Sequence, residues 1–400
     1  MSYSSVQHPS KQNTSWIDIF MCWCAGIFAA MQFAKYSISY DSLLLFYQKD
    51  GAEIGALLSI VGLVGIFFGV IAGVLSGNLG YRKVLISCLV IGGILSLFQS
   101  FLPNYSLLFA SRILEGVSHL GIIVAAPTLM LRSAAKKHHS LAMGIWGTFF
   151  GVAFAISGWL GNSILNHYGL SALYLIHGAI SVPILAYFLI FTNKGQPSQP
   201  ITRSIQVKNL LKETVQVYLN PRTCLPGVVF LFHTCMFVSL LTFIPRMSQD
   251  HDIRDMLFVI LPLCSIAGTF LSGVLSQYFF RPSYLVFSAY CGVAVTTFMT
   301  VTYADMPYHF IFFALLLLLL SGIVQGGAFT LIPALSKNVT EQAMGNGSIA
   351  QLGNLGATVG APLFASIIDY SGNIGIFYTV FILSVMGCSV ALIAAKVHAS

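Results

Sequence analysis

Three ionisable side chains lie close together in a long apolar segment, and they define the chemistry that this sequence offers. Arg112, Glu115 and His119 follow one another at steps of three and four residues inside the apolar run 105–131. At 3.6 residues per turn, these steps place all three on one face of a helix. A charged side chain at mid-bilayer costs about 3 kcal/mol. This face is therefore predicted to look into a protein-lined or hydrated interior, not toward lipid.

Glu115 is the predicted proton carrier of this group. A low dielectric favours the neutral carboxyl, whereas the nearby guanidinium of Arg112 favours the carboxylate. Arg112 is thus predicted to keep Glu115 close to the point at which it changes between its protonated and ionised forms. A change of hydration would then shift this balance. The alternative is a permanent structural ion pair. His119 is predicted either to relay protons and sense pH, since imidazole titrates near pH ~6.5, or to be a hydrogen-bonded core histidine.

Lys35 is the predicted substrate contact on the first apolar segment, with Gln32 and Tyr36 beside it. No acidic residue lies within five positions of Lys35 in the sequence. Two alternatives stay open: Lys35 pairs with Glu115, or it binds an anionic ligand. Lys35 and Arg112 against one carboxylate give a net charge of +1 at the deep positions, which favours a substrate with an anionic group.

The composition is that of a membrane protein. Of the 400 residues, 56% are hydrophobic and 8% are charged, whereas soluble proteins average about a quarter charged. The net charge of +7 does not predict nucleic-acid binding, because the basic residues lie in short loops and form no compact basic domain. The eight cysteines show no metal-ligand spacing, so they are interpreted as packing residues and neither a metal nor another cofactor is predicted.

Twelve segments of about 20 apolar residues are each long enough to cross a bilayer. They are predicted at residues 17–40, 53–77, 84–102, 105–131, 142–165, 171–192, 224–246, 256–279, 284–303, 309–335, 346–368 and 375–395. The first is too long for a signal-peptide core and is interpreted as an uncleaved helix. Short turns predict a compact all-α bundle, and one longer polar connection divides the segments six and six. We therefore predict an N-terminal six-helix bundle (1–192), a cytoplasmic central loop (193–223) and a C-terminal six-helix bundle (224–400).

The distribution of lysine and arginine predicts the orientation in the membrane. With both termini in the cytoplasm, 14 of the 19 basic residues lie on the inner side, as the positive-inside rule requires. The predicted location is the bacterial inner membrane. The tetrapeptide Gly-Val-Leu-Ser occurs at 73–76 and again at 273–276. Its recurrence at corresponding places in the two sets of six segments supports an internal duplication, which is common among transporters.

Three features carry a family resemblance that covers essentially the whole chain: twelve spans split by a long basic central loop, the loop between spans two and three, and the fourth span. The stretch G-V-L-S-G-N-L-G-Y-R-K-V-L at 73–85 resembles the G-x-L-A-D-R-x-G-R-K-x-x-L signature of the major facilitator superfamily (MFS), although Gly77 replaces its aspartate. Arg112-x-x-x-Gly116 resembles the fourth-span signature of proton-coupled members. The chain is identified as a member of the twelve-span bacterial type. The positions assigned to the gating-loop motif are Gly73, Gly80, Arg82 and Lys83.

The resemblance implies two pseudo-symmetric six-helix bundles around a central cavity lined by spans one, four, seven and ten. The polar residues of those spans are then the candidate site. They comprise a proton-coupling set, Glu115, Arg112 and His119, and a substrate-binding set, Lys35, Gln32, Tyr36, His233 and Gln325. The function implied is a secondary active transporter that moves a small anionic or zwitterionic organic solute by alternating access, coupled to protons. It is expected to work as a monomer in the lipid bilayer.

Other functions stay open as alternatives. The first is proton-driven export of drug-like or siderophore-like compounds, although the fifth segment lacks the Gly-Pro pair of the drug-antiporter signature. The second is a membrane sensor that binds a ligand without transporting it. An enzyme is not predicted, because the sequence has no H-E-x-x-H, no G-x-S-x-G and no phosphate-binding loop.

Overall fold

A computed structural model describes residues 13–191 and 215–399, and within these ranges every regular element is helical. The terminal residues 1–12 and most of the predicted central loop (192–214) lie outside the described residues. The helices are α1 Trp16–Ile38, α2 Tyr40–Tyr47, α3 Gly51–Ser59, α4 Leu63–Leu79, α5 Tyr81–Ser100, α6 Tyr105–Ser133, α7 His139–Gly147, α8 Phe149–Ile156, α9 Asn162–Ile190, α10 Pro221–Phe243, α11 His251–Tyr278, α12 Pro282–Thr302, α13 Pro307–Leu335, α14 Val339–Ser371 and α15 Ile374–Ala399.

Ten helical stretches in the described residues are long and apolar enough to cross a membrane. One of them, Leu141–Ile190, is 50 residues long and is divided at Gly169, whose φ of +80° only glycine adopts readily. It therefore contains the predicted fifth and sixth segments. The predicted eleventh segment lies in α14, a helix of 33 residues that begins at Val339 and not at 346. The predicted all-α membrane architecture is confirmed.

Polar residues begin the helices at the loops. Asp50 starts α3 with a capping box, in which its carboxylate accepts from the Glu53 backbone N–H at 2.7 Å and the Glu53 side chain accepts from the Asp50 N–H. Asn104 caps α6 by accepting from the Leu107 N–H at 3.0 Å. These side chains satisfy backbone donors that lack a helical partner. They explain why the apolar segments begin where they do.

The helices pack in two groups, and we refer to α1–α9 as the first group and α10–α15 as the second. Contacts between the groups are made by α3 and α4 against α14, by α8 against α11 and by α1 against α10. Glycines allow these approaches: a Cβ on Gly55 would lie 2.8 Å from the Ala361 carbonyl oxygen, and one on Gly158 would lie 2.5 Å from that of Phe258. Small residues at such crossings let helix backbones come close together.

Polar contacts join the two groups at the end of the molecule remote from the start of α1 and the end of α15. We call this set the polar closure. It consists of Arg246 Nε to Asp41 Oδ2 at 2.9 Å, the Gly51 N–H to Asp369 Oδ2 at 3.0 Å, and Ser37 Oγ with Thr242 Oγ1 at 2.7 Å. The described conformation is therefore closed at that end.

Candidate functional site

A buried charge cluster lies inside the first group, around Glu115 of α6. Its Oε1 accepts from Lys35 Nζ at 2.7 Å, and its Oε2 accepts from Gln99 Nε2 at 2.8 Å and from Arg112 Nη1. The side chains of Lys35, Arg112 and Glu115 are at most 2% exposed. Charge-assisted hydrogen bonds are strong, and leaving one partner of a buried pair alone is costly. Of the two alternatives for Lys35, this conformation shows the pair with Glu115.

Close helix packing brings these side chains together. A Cβ on Gly92 of α5 would lie 2.5 Å from Ser118 Oγ, and one on Gly116 of α6 would lie 2.5 Å from the Val61 carbonyl oxygen. The backbones of α5 and α6, and of α6 and the turn after α3, therefore approach more closely than larger residues allow. The glycine of the Arg112-x-x-x-Gly116 pattern thus has a packing reason in this structure.

Arg112 has a structural role in addition to its pair with Glu115. Its Nε donates to the Leu57 carbonyl at 2.8 Å and its Nη2 to the Leu58 carbonyl at 3.1 Å. Both carbonyls belong to the last turn of α3, where a helix leaves its C=O groups without helical partners. The guanidinium also lies 3.9 Å from the centre of the Tyr36 ring, a cation–π contact. Arg112 therefore anchors the end of α3 to α6.

Lys35 has contacts with α5 and α9 as well as with Glu115. Its Nζ lies 2.8 Å from Gln99 Oε1, 3.0 Å from Ser96 Oγ and 3.3 Å from His177 Nδ1. His177 Nε2 lies 3.1 Å from the Phe28 carbonyl oxygen, which can only accept, so Nε2 carries a hydrogen. In the neutral ring Nδ1 is then an acceptor, and it faces both Lys35 and Ser96, the latter at 2.8 Å.

The cluster has more positive than negative charge. Lys35 and Arg112 face Glu115, and within the described residues no second carboxylate pairs with either of them. With His177 neutral, the sum is +1. This sum agrees with the count made from the sequence, but the charges lie in the core of the first group, and none of the three side chains reaches an open surface.

Gln32 and Tyr36, predicted to bind substrate, are fully buried on α1. Gln32 Nε2 donates to Ser118 Oγ at 3.1 Å, while Gln32 Oε1 has no hydrogen-bond partner. The Tyr36 hydroxyl has none either, although its ring stacks on Tyr174 with centroids 5.2 Å apart. A buried polar atom without a partner costs about 1 to 3 kcal/mol, so both atoms are candidate contacts for a solute or a water molecule.

His233 and Gln325, the predicted contacts from the second group, lie side by side. His233 is 1% exposed; its Nδ1 lies 3.4 Å from Ser321 Oγ, and its Nε2 has no direct hydrogen-bond partner. Gln325 is partly exposed. His119, on α6, is nearly buried, and its Nδ1 donates to the Ala29 carbonyl at 3.1 Å. This arrangement matches the second alternative given for His119, a hydrogen-bonded core histidine.

A continuous set of aromatic rings crosses from the first group to the second, and we call it the interface aromatics. Its members are Trp146, Phe149, Phe150, Phe237, His233, Phe230 and Phe329. Successive ring centroids are 4.5, 6.1, 6.1, 5.1, 5.6 and 5.3 Å apart. The step from Phe150 to Phe237 joins the groups. Phe329 is 43% exposed and several other members are partly exposed, so ring surface remains for a further contact.

The gating-loop motif lies between α4 and α5. Gly80 has a φ of +92°, which favours glycine. Arg82 Nη2 donates to the Phe188 carbonyl of α9 at 2.5 Å, a contact within the first group. Lys83 is exposed, and Gly73 lies within α4. The structure thus explains the glycine at position 80 by the turn, while a gating role for the motif stays a prediction.

Three members of the charge cluster were missed from the sequence: Ser96 and Gln99 on α5, and His177 on α9. They lie on spans three and six, whereas the candidates were taken from spans one, four, seven and ten. A signal was present, because Ser96 and Gln99 are three residues apart in an apolar helix and therefore share one face. His177 is a single histidine in an apolar segment, and only the folded structure shows its partner.

Comparison with known families now identifies the chain. The sequence model described as "Major Facilitator Superfamily" matches residues 22–348. The chain belongs to the Major Facilitator Superfamily. The predicted family and the predicted all-α membrane fold are confirmed.

Individual relatives of this MFS protein are distant. The 4-hydroxybenzoate transporter PcaK of Pseudomonas aeruginosa is 24% identical over 207 residues, which cover 52% of this chain and 45% of that protein. The methyl viologen resistance protein SmvA of Salmonella typhimurium is 22% identical over 221 residues, covering 54% and 44%. The chain thus spans about half the length of these relatives. A bacterial homolog of the human lysosomal transporter Spinster, solved in an inward-facing, unoccupied conformation, has a TM-score of 0.76 at 12% identity, covering 96% of this chain and 97% of that one.

Proposed function

We propose that this transporter moves a small organic anion across the inner membrane by alternating access, together with a proton. The observation that carries the proposal is the net charge of +1 on the buried charge cluster, in which Lys35 and Arg112 face the single carboxylate of Glu115. An uncompensated positive charge in a low-dielectric core is costly and attracts an anion. A solute carboxylate supplies the missing negative charge, and an exchangeable proton adjusts the sum when the solute leaves.

The solute class that we propose is a small carboxylate with a flat ring. The interface aromatics offer partly exposed ring faces and edges, and aromatic pairs contribute about 0.5 to 1.5 kcal/mol beyond the burial of their area. His233 Nε2, which has no direct partner, and the neighbouring Gln325 are polar contacts for ring substituents. The name of the relative that transports 4-hydroxybenzoate supports the same class.

Alternating access requires the polar closure to break and reform. With both termini in the cytoplasm, as the basic loops predict, the closure lies on the outer side of the membrane. Arg246 then holds the outer ends of the two groups together through Asp41. The protein is proposed to work as a monomer.

Export of a cationic compound is the competing function, and the relative named for methyl viologen resistance favours it. Methyl viologen carries two positive charges, whereas the buried charge cluster already has an excess of one. Like charges in a low dielectric repel strongly. The sign of the cluster therefore favours the anion.

Counterflow in proteoliposomes without a pH gradient tests the function. Preloaded vesicles are given labelled benzoate, 4-hydroxybenzoate, cyclohexanecarboxylate or methyl viologen. We expect exchange of both aromatic acids, weaker exchange of cyclohexanecarboxylate and none of methyl viologen. Exchange of methyl viologen without exchange of any acid would contradict the proposal and support export.

Phe150→Leu tests the ring surface, with Phe280→Leu as the matched control because Phe280 is 55% exposed outside the set. Loss of one aromatic contact of 0.5 to 1.5 kcal/mol corresponds to a rise in the KM for benzoate of roughly 2- to 13-fold. The KM for cyclohexanecarboxylate should change less. An equal rise for both acids would assign Phe150 to packing alone.

A further inference from the structure

The ionisable groups of the buried charge cluster differ in what a change of protonation would leave unpaired. We infer that Lys35, and not Glu115, carries the coupling proton, with His177 as the acceptor that this proton meets first. The inference rests on the proposed function, because it names the group through which proton coupling acts. It also revises the assignment made from the sequence, where Glu115 was the carrier.

Glu115 is held as a carboxylate from both sides. Its two oxygens accept from three donors, on Lys35, Gln99 and Arg112. A proton on either oxygen would face one of those donors and remove an acceptor. It would also leave two buried cations without an anion, and an unpaired buried charge is among the most costly arrangements in a protein core. The surroundings of Glu115 therefore oppose its protonation in this conformation.

Arg112 is excluded as the carrier by its own chemistry. A guanidinium does not lose its proton in proteins, and the hydrogen bonds to the Leu57 and Leu58 carbonyls hold it at the end of α3. The positive charge of Arg112 is permanent, so it balances the negative charge of Glu115 in every protonation state of Lys35.

Lys35 is the group whose deprotonation makes the cluster neutral. Every other group around it tolerates the change. From α5 it faces Ser96 and Gln99, from α6 Glu115 with Arg112 behind it, from α9 His177 and the Tyr174 ring, and from α1 the Tyr36 ring. A neutral amine still donates to Glu115 Oε1 and Gln99 Oε1, and its lone pair accepts from the Ser96 hydroxyl. Because the Ser96 hydroxyl has a single proton, His177 Nδ1 is then the one acceptor of this set without a donor, and a proton on Nδ1 removes that deficit.

His177 stands in position to take the proton. Its Nδ1 lies 3.3 Å from Lys35 Nζ and 2.8 Å from Ser96 Oγ, which in turn lies 3.0 Å from Nζ. Transfer converts the ammonium to an amine and the imidazole to an imidazolium, so charge and protons balance. In transfer through Ser96, the hydroxyl receives a proton from Lys35 and donates its own proton to His177. Nε2 keeps its bond to the Phe28 carbonyl throughout.

This arrangement couples the proton to the anion by charge. An anion near the cluster favours the protonated amine, and its departure favours the neutral one. The loaded core then holds +1 and −1, and the empty core holds zero once the proton has passed from His177 to solvent, so neither state moves an excess charge through the low-dielectric interior. The expected ratio is about one proton for each monocarboxylate.

Lys35→Arg and Lys35→Met test the inference, because arginine keeps the charge permanently and methionine never has it. Benzoate flux and the accompanying proton flux are measured together in proteoliposomes with an entrapped pH dye. We expect the proton-to-benzoate ratio to fall from about 1 to near zero in both variants, with slower benzoate exchange. Lys49→Met, which alters a lysine that is 36% exposed, is the control and should keep the wild-type ratio.

Proton uptake on benzoate binding in weakly buffered detergent gives the same ratio without transport, so a variant that reconstitutes poorly is still informative. A wild-type ratio in either Lys35 variant overturns the inference. So does a Glu115→Gln variant that exchanges benzoate with a ratio of zero while the Lys35 variants keep theirs. Wild-type protein that exchanges benzoate without proton movement overturns the inference alone, whereas wild-type protein that exchanges no acid contradicts the proposed function.

Discussion

Glu115→Gln should destabilise the protein, and removal of the lysine that faces it should reverse part of that loss. The glutamine keeps one acceptor oxygen, and its NH2 group replaces an oxygen that accepts either from Lys35 or from both Arg112 and Gln99. In either orientation of the amide, its NH2 group faces another hydrogen-bond donor, on Lys35 or on Arg112 and Gln99. Arg112 then remains buried without an anion, as does Lys35 for as long as it keeps its proton. Breaking a buried ion pair in this way costs about 3 to 5 kcal/mol.

Lys35→Met removes one cation and leaves Arg112 and Glu115 as a neutral pair. The losses are the donors to Gln99 Oε1 and to Glu115 Oε1, whereas the Ser96 hydroxyl can still donate to His177. Each buried acceptor left alone costs about 1 to 3 kcal/mol. The double variant should be more stable than Glu115→Gln alone, because it removes one of the two orphaned cations. The two substitutions are therefore predicted to be strongly non-additive.

Thermal unfolding of purified protein, followed by size-exclusion chromatography after heating, measures the cycle. For a helical group of this size, a loss of 3 to 5 kcal/mol corresponds to a fall in Tm of roughly 6 to 20 °C. Glu53→Gln is the matched control, because the Lys49–Glu53 pair is 2.9 Å long but 36% and 38% exposed, and such pairs contribute about 0 to 1 kcal/mol. If Glu115→Gln were as stable as Glu53→Gln, the reasoning about a buried charged core would be wrong.

Two further perturbations probe the packing and the closure. Gly116→Val places a side chain where a Cβ would already lie 2.5 Å from the Val61 carbonyl oxygen, so we expect the free energy of unfolding to fall by about 1 to 3 kcal/mol. Gly147→Ala is the control and should cost little, because a Cβ there meets nothing within 4 Å. A similar Tm for both variants would contradict the close approach at Gly116. Arg246→Ala should weaken the polar closure and reduce several-fold the yield of a disulfide between cysteines introduced by Ser37→Cys and Thr242→Cys. Arg246→Lys should reduce that yield less. An unchanged yield in Arg246→Ala would show that Arg246 does not hold that end closed.

The helices were predictable because each depends on local sequence alone. An apolar run of spanning length must be helical in a bilayer, where every backbone group needs an internal partner. Capping residues such as Asp50 and Asn104 lie directly before the apolar runs and can be recognised from the sequence. The exceptions have a physical reason as well. The start of α14 was placed too late because its first residues are polar, although Asn338 caps it by accepting from the Glu341 N–H at 2.9 Å.

The site was predictable only where its geometry is local. Arg112 and Glu115 are three residues apart on one helix, so their pairing follows from helical periodicity. The contact of Lys35 with Glu115 joins positions 80 apart in sequence and depends on how α1 and α6 are rotated, which no local rule sets. His177 was out of reach for the same reason. The sequence left the pairing of Lys35 open, and the tertiary structure selects one alternative.

The position of Lys35 near the end of α1 links the charge cluster to the closure physically. Arg246 of the second group donates to the Ser37 carbonyl at 2.8 Å and to the Ile38 carbonyl at 3.2 Å, so it binds the last turn of the helix that carries Lys35. The Lys35 carbonyl in turn accepts from the Ser39 hydroxyl at 2.7 Å. Cations stabilise the C-terminal end of a helix, and here one comes from each group. Loss of the proton from Lys35 would remove one of the two cations and so weaken the electrostatic stabilisation of the turn that the closure holds.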